Sequence, residues 1–175
     1  MSKKYSIILG IVFSAITVIM RLIPHPWNFT PIGALFLFSG FYLPKKWIWL
    51  PLASLAISDV IIGSYQWQVM MAVYGTYAIT MFASRSIRGH DISNVLMMSI
   101  GSALLFFFIT NFSHWMWFGG YSHDLSGLAQ AYVAGIPFFR NSLLGYAFYS
   151  CVFFAIKEII SIKINAVNVI KGIVI

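Results

Sequence analysis

Asp59 is the residue of this chain best placed to do chemistry. It lies in the run Leu55-Ala-Ile-Ser-Asp-Val-Ile-Ile, close to the end of an apolar stretch. A carboxylate there costs roughly 2.5–3.5 kcal/mol at mid-bilayer on insertion scales, and less near the interface. It is therefore expected to be paired or to face a cavity. Two roles follow: an ion pair that holds helix ends together, or a carboxylate that contacts a substrate or carries a proton. Arg21 and Arg140 are the cations expected on its side of the bundle.

Other polar groups fall on the same side. His25 and Asn28 sit in Ile-Pro-His-Pro-Trp-Asn-Phe-Thr-Pro (23–31), and capping does not readily explain them. Thr30, just before Pro31, reads as a helix N-cap. Asn111, His114, Trp115, Arg140 and Asn141 complete the candidate set, with Trp27, Trp67, Trp117 and Tyr121 interleaved. Aromatic walls with a few convergent polar groups are what a small-molecule pocket requires. Asp59 and Arg140 would anchor polar groups of a ligand, Trp115 would stack, and the amides would set orientation. The alternative is an interfacial aromatic belt with helix caps, which has no need for Asp59 and Asn111.

Several chemistries find no support. His25, His114 and His123 with Asp124 follow no recognised ligand spacing, so they are expected to be ordinary interfacial histidines, with no metal and no cofactor. The single cysteine, Cys151, lies in an apolar stretch and reads as packing. No glycine-rich phosphate loop or Walker lysine occurs, so any active transport must draw energy from a partner or an ion gradient. No nucleophile–base spacing is recognisable, and the chain is not expected to be an enzyme. An intramembrane enzyme using Asp59 with His25 or His114 as acid and base remains an alternative. His90 and Asp91 read as solvated. Glu158 follows Lys157 directly; adjacent side chains point apart on a helix, so its carboxylate is expected to reach water.

The elements that must position these residues are apolar. The 175 residues are 60% hydrophobic and 9% charged, with a mean hydropathy of +0.86. Soluble domains carry about 25% charged residues. Lipid is therefore expected to cover the surface of an all-α membrane protein, a compact bundle of six transmembrane helices. The spans are expected at about 5–20, 31–43, 48–62, 69–84, 95–110 and 143–162, in a single domain over 1–175. Lys3, Lys4, Lys45, Lys46, Arg85, Arg88, Lys157, Lys163 and Lys171 flank one set of span ends; only Arg21 and Arg140 flank the other. Short basic loops stay in the cytoplasm, so both termini are expected inside a bacterial inner membrane. The net charge of +7 is explained by this sidedness and by anionic head groups, and nucleic acid is not an expected partner.

Three segments need a separate reading. The first apolar run lacks a small-x-small cleavage site and is read as a retained helix. Gly10 and Ser14, small residues four apart, permit close helix approach, either within the chain or against another membrane subunit. Residues 119–141 read as an outer loop whose short amphipathic piece, 125–134, lies over the bundle mouth.

Four runs carry a family resemblance: Arg-Leu-Ile-Pro-His-Pro-Trp-Asn-Phe-Thr-Pro (21–31), Ser-Asp-Val-Ile-Ile-Gly (58–63), Thr-Asn-Phe (110–112) and Ile-Pro-Phe-Phe-Arg-Asn-Ser-Leu-Leu-Gly (136–145). They resemble a bacterial family of uncharacterised transport proteins, the DUF6580 type. That family is in turn similar in size and hydropathy to the substrate-binding S components of energy-coupling-factor (ECF) transporters. The resemblance implies an S-component-like six-helix fold that captures a vitamin or similar nutrient at the outer face. It also implies release through toppling of the bundle, driven by a transmembrane coupling subunit with ATPases. S components commonly dock through an Ala-x-x-x-Ala motif on the first helix; Gly10 and Ser14 stand in for it here. The function expected is thus uptake of a small nutrient, with a non-transport membrane scaffold as the alternative.

Overall fold

In a computed structural model the chain is all-helical, described here for residues 3–63, 65–87, 89 and 91–173, with side chains described through residue 167. Arg88, His90 and the side chain of Lys171, all read above from sequence, lie outside the described residues. The six helices are α1 (Lys3–Leu22), α2 (Ile32–Tyr42), α3 (Leu50–Ile62), α4 (Trp67–Ser86), α5 (Ile92–Trp117) and α6 (Leu125–Ile173). Among the described residues, three stretches are long and apolar enough to cross a membrane: α1, α5 and Leu125–Val167 of α6.

Helix α1 shows how the sequence sorts its faces. Ser6, Leu9, Gly10, Phe13, Ser14 and Thr17 repeat at helical spacing and are buried. Ile8, Ile11, Val12, Ile16 and Ile19 occupy the exposed side. Small and hydroxyl-bearing residues share the buried face with Leu9 and Phe13 while branched aliphatics point out, the pattern expected of helices packed in lipid. Some buried hydroxyls are satisfied by their own helix: Ser54 donates to the Leu50 carbonyl, Thr76 to Ala72 and Ser99 to Val95, whereas those of Ser14, Thr17, Thr80 and Ser150 are buried without a hydrogen bond of ordinary geometry. The stripe carrying Gly10 and Ser14 is turned into the bundle, with Gly10 against Leu43. The chain's own helices therefore occupy the face proposed for partner docking.

Helix α2 is the hub. It is apolar all round, every residue from Ile32 to Phe41 is buried, and it touches each of the other five helices. At 11 residues it is only about 16 Å long, well short of a hydrocarbon core. Its glycines permit the close packing: a side chain at Gly33 would overlap the Tyr146 ring of α6, and one at Gly40 would overlap the Met81 carbonyl and Ser84 hydroxyl of α4. Phe13 stacks on Phe153 with ring centroids 4.0 Å apart and meets Phe38 edge-on at 4.9 Å, tying α1 and α6 to this hub.

Two boundaries differ from the sequence expectation. Helix α5 starts behind Asp91, whose carboxylate caps the Asn94 amide at 3.2 Å, and runs on to Trp117, so residues 111–117 are helical. Residues 125–134 are no separate piece over the mouth; they are the first turns of α6, which continues for 49 residues through Pro137. Proline removes one backbone donor, but packing on α5 holds both sides of the break. The Tyr132 hydroxyl donates to the Phe108 carbonyl at 3.0 Å, Gly135 lies against the Asn111 amide, and Phe139 packs on Phe107 at 4.8 Å. Glu158 reaches water as expected, its side chain 39% exposed, but it also meets its neighbour: Lys157 Nζ lies 2.5 Å from its Oε1, because two long side chains can curl together where their Cβ vectors diverge. Lys157 also sits 4.8 Å from the centre of the Tyr42 ring.

The bundle ends differ in character. Arg85 donates to the Leu43 carbonyl at 3.0 Å near the Lys157–Tyr42 contact. At the other end the 23–31 connection and the α3–α4 turn border an opening.

Candidate functional site

The last turn of α1 supplies the key cation. A basic side chain at a helix C-terminus is favoured by the helix dipole, and Arg21 occupies that position. Its Nη2 donates to Asp59 Oδ1 at 2.8 Å, while Nη1 donates to the Ser58 hydroxyl and, at 3.4 Å, to the Leu55 carbonyl. Asp59 is 5% exposed and lies one turn before the end of α3. That end is marked by Gly63, whose amide closes the last helical bond to the Asp59 carbonyl at 2.9 Å and whose φ of 114° turns the chain out of the helix. The second carboxylate oxygen, Oδ2, accepts the Tyr74 hydroxyl of α4 at 2.9 Å. Three helices are thereby joined at one carboxylate.

Beside this cluster is a cavity of about 630 Å³, within the usual range for small-molecule sites. Its walls come from all six helices and from the two adjoining connections. The 23–31 connection is shaped by local chemistry. The Phe29 amide bonds the Pro26 carbonyl at 3.0 Å, and Asn28 takes φ 63° as the third residue of that turn, a conformation asparagine tolerates better than most. His25 Nδ1 lies 2.7 Å from the Ile23 carbonyl. A carbonyl oxygen only accepts, so Nδ1 carries the hydrogen in this contact and Nε2 is the polar atom left to a ligand. Trp27 is 77% exposed and meets Phe138 edge-on at 6.3 Å. Thr30 lines the cavity rather than capping α2, whose N-cap is Pro31 with no side-chain cap.

The deeper wall is aromatic. Tyr77, Phe106 and Tyr146 line it, with Phe106 packed on Tyr77 at 5.2 Å. The Tyr146 hydroxyl, beside Tyr77 and Thr80, is buried without a hydrogen bond of ordinary geometry. Tyr65 lies in the α3–α4 turn; burial, with the Asp59 carboxylate nearby, raises its phenol above the ordinary value and keeps it an O–H donor.

The structure divides the residues nominated from sequence. His25, Asn28 and Asp59 line the cavity. Asn111, His114, Trp115, Arg140 and Asn141 do not. Asn111 donates to the Phe107 carbonyl at 2.8 Å and packs on Gly135 at the α5–α6 contact. His114 stacks on Phe118 at 4.5 Å, and Trp115 donates its indole N–H to the Ser122 carbonyl at 2.9 Å. Arg140 is exposed and makes no ion pair among the described residues. Asn111, His114 and Trp115 lie on the extension of α5 beyond residue 110, away from the opening; Arg140 and Asn141 lie on α6. Between the two arginines considered as partners for Asp59, the fold chooses Arg21.

Sequence reading missed Tyr65, Tyr74, Tyr77, Tyr146, Phe106 and Ser142. A weak signal existed: Tyr74, Tyr77 and Tyr146 are phenols within apolar runs, and a buried phenol usually needs a partner. Among the described residues no three histidine, cysteine, aspartate or glutamate side chains come together as a metal site.

A family model described as a family of unknown function (DUF6580) matches residues 1–167. No curated protein and no solved structure matches the chain.

Proposed function

The chain belongs to the DUF6580 family, and from that premise we propose that it is the substrate-binding subunit of a membrane transport system, capturing a small nutrient such as a vitamin. The observation that carries this reading is the cavity of about 630 Å³ beside the buried Arg21–Asp59 pair, at the bundle end poorest in lysine and arginine. In the proposed arrangement the six helices form an S-component-like bundle in the bacterial cytoplasmic membrane, with both termini inside. The basic residues of the opposite end support that sidedness. The cavity then opens to the extracytoplasmic face, through the mouth formed by His25, Trp27 and Asn28.

Capture proceeds by binding and conformational change, without covalent chemistry. His25 and Asn28 at the mouth and the aromatic wall at depth hold the ligand. A transmembrane coupling subunit with ATPases supplies the energy for release. Its contact surface is not the Gly10–Ser14 stripe, which α1 spends on internal packing. The exposed aliphatic faces of the bundle are the remaining contact area, shared with lipid.

Native mass spectrometry of the detergent-purified chain tests the reading. Wild type is expected to retain a small molecule, and Val73→Phe, which places a ring in the cavity wall, is expected to lose it while melting normally. Equal retention by both proteins would remove the cavity from the argument.

A further inference from the structure

The cavity's own wiring bears on what it accepts; the inference rests on the binding reading above and narrows it to a chemical class. Arg21 and Asp59 are the charged members of the lining among the described residues. They are already committed to each other and to the fold. Asp59 Oδ1 takes Arg21, Oδ2 takes Tyr74, and the second guanidinium nitrogen is spent on Ser58 and Leu55. The rest of the polar lining carries no fixed charge: His25, Asn28, Thr30, Tyr65 and Ser142 among others. A carboxylate or phosphate entering this space would lose its water and meet no uncommitted cation; an ammonium would meet no uncommitted anion. Tyr65, Tyr77, Phe106 and Tyr146 instead line it with aromatic carbon, an apolar wall suited to a flat group.

We propose that the ligand is an uncharged heteroaromatic molecule carrying amide or hydroxyl groups, and that the Arg21–Asp59 pair is a clasp in the cavity wall rather than the ligand's counter-ion. The ring lies against the aromatic wall. The donors and acceptors at the mouth read its polar edge, His25 Nε2 among them.

The test uses the full chain in lipid nanodiscs and calorimetric titration with three forms of one ring: quinoxaline-2-carboxamide, quinoxaline-2-carboxylate and 2-(aminomethyl)quinoxaline. The carboxamide is expected to bind at least about 10-fold more tightly than either charged form. A carboxylate or amine that binds equally or better would overturn the ligand class and leave the binding reading standing. Failure of all three to bind at millimolar concentration would overturn both. A second arm replaces the pair with apolar residues of similar size, Arg21→Met with Asp59→Leu. Carboxamide affinity is expected to stay within about 3-fold of wild type if the pair is a clasp. Loss of binding by a variant that melts like wild type would show that the pair holds the ligand.

Discussion

The Arg21 guanidinium and the Asp59 carboxylate, 38 residues apart in the chain, meet at 2.8 Å where the ends of α1 and α3 converge. Their side chains are 16% and 6% exposed, so removing one partner leaves the other charge with little water to compensate it. Arg21→Met or Asp59→Leu alone is expected to cost about 2–3 kcal/mol, at the low end for buried pairs because Arg21 keeps some solvent. The double substitution is expected to return to within about 1 kcal/mol of wild type. Thermal melts of the four proteins in one detergent complete this cycle. Additive losses would mean that the two side chains do not act as a pair.

Gly33 and Gly75 are both helical glycines, and the structure assigns them opposite responses to alanine. A methyl at Gly33 would overlap the Tyr146 ring, whereas one at Gly75 would meet nothing within 4 Å. Gly33→Ala is expected to lower stability by about 1–3 kcal/mol through overpacking. Gly75→Ala is expected to raise it by about 0.5–1 kcal/mol, because alanine loses less backbone freedom in a helix. Melting temperatures that move in the same direction for both would contradict the α2–α6 packing described here.

Asn28 carries two separable demands: its φ of 63° and its place on the cavity lining. Asn28→Gly is expected to fold as wild type, while Asn28→Val is expected to cost about 1–2 kcal/mol in a conformation that branched residues avoid. A change in ligand retention by the glycine variant, read by native mass spectrometry, isolates what the amide side chain itself contributes.

Asp124 opens α6 by accepting the Gly127 amide at 2.8 Å and the Ser122 hydroxyl at 2.8 Å. The Gly127 amide first, and then the Ser122 hydroxyl, hold its carboxyl below the ordinary value of 3.8. A carboxyl more acidic in the folded than in the unfolded chain gives its full support above the unfolded value. That support fades as pH falls through the folded one. Hydrogen exchange at Gly127 and Leu128 is therefore expected to stay slow from neutral pH down to about 4 and to quicken below that. Asp124→Ala should exchange quickly at every pH; pH-independent protection in wild type would rule out the cap.

What the chain determines by itself is what depends on neighbours in sequence. Runs of apolar residues separated by proline, glycine and polar clusters specify six helical stretches, since each run carries its own hydrophobic content. The need of Asp59 for a partner is equally local, because desolvating a carboxylate is costly wherever the stretch ends up. Which arginine answers that need is a matter of which helix ends converge, and only the packing of α1 on α3 selects Arg21. The same holds for α6, where Pro137 argues locally for a break and contacts from Phe107, Phe108 and Asn111 carry the helix through it. The extra turns of α5 move Asn111, His114 and Trp115 off the opening, and no local signal at residue 110 announces them. The cavity is the most tertiary feature of all. Tyr77 of α4 and Tyr146 of α6 both line it, Tyr146 packed where glycine at position 33 lets α6 approach α2, and such a convergence of helices is encoded by no single run.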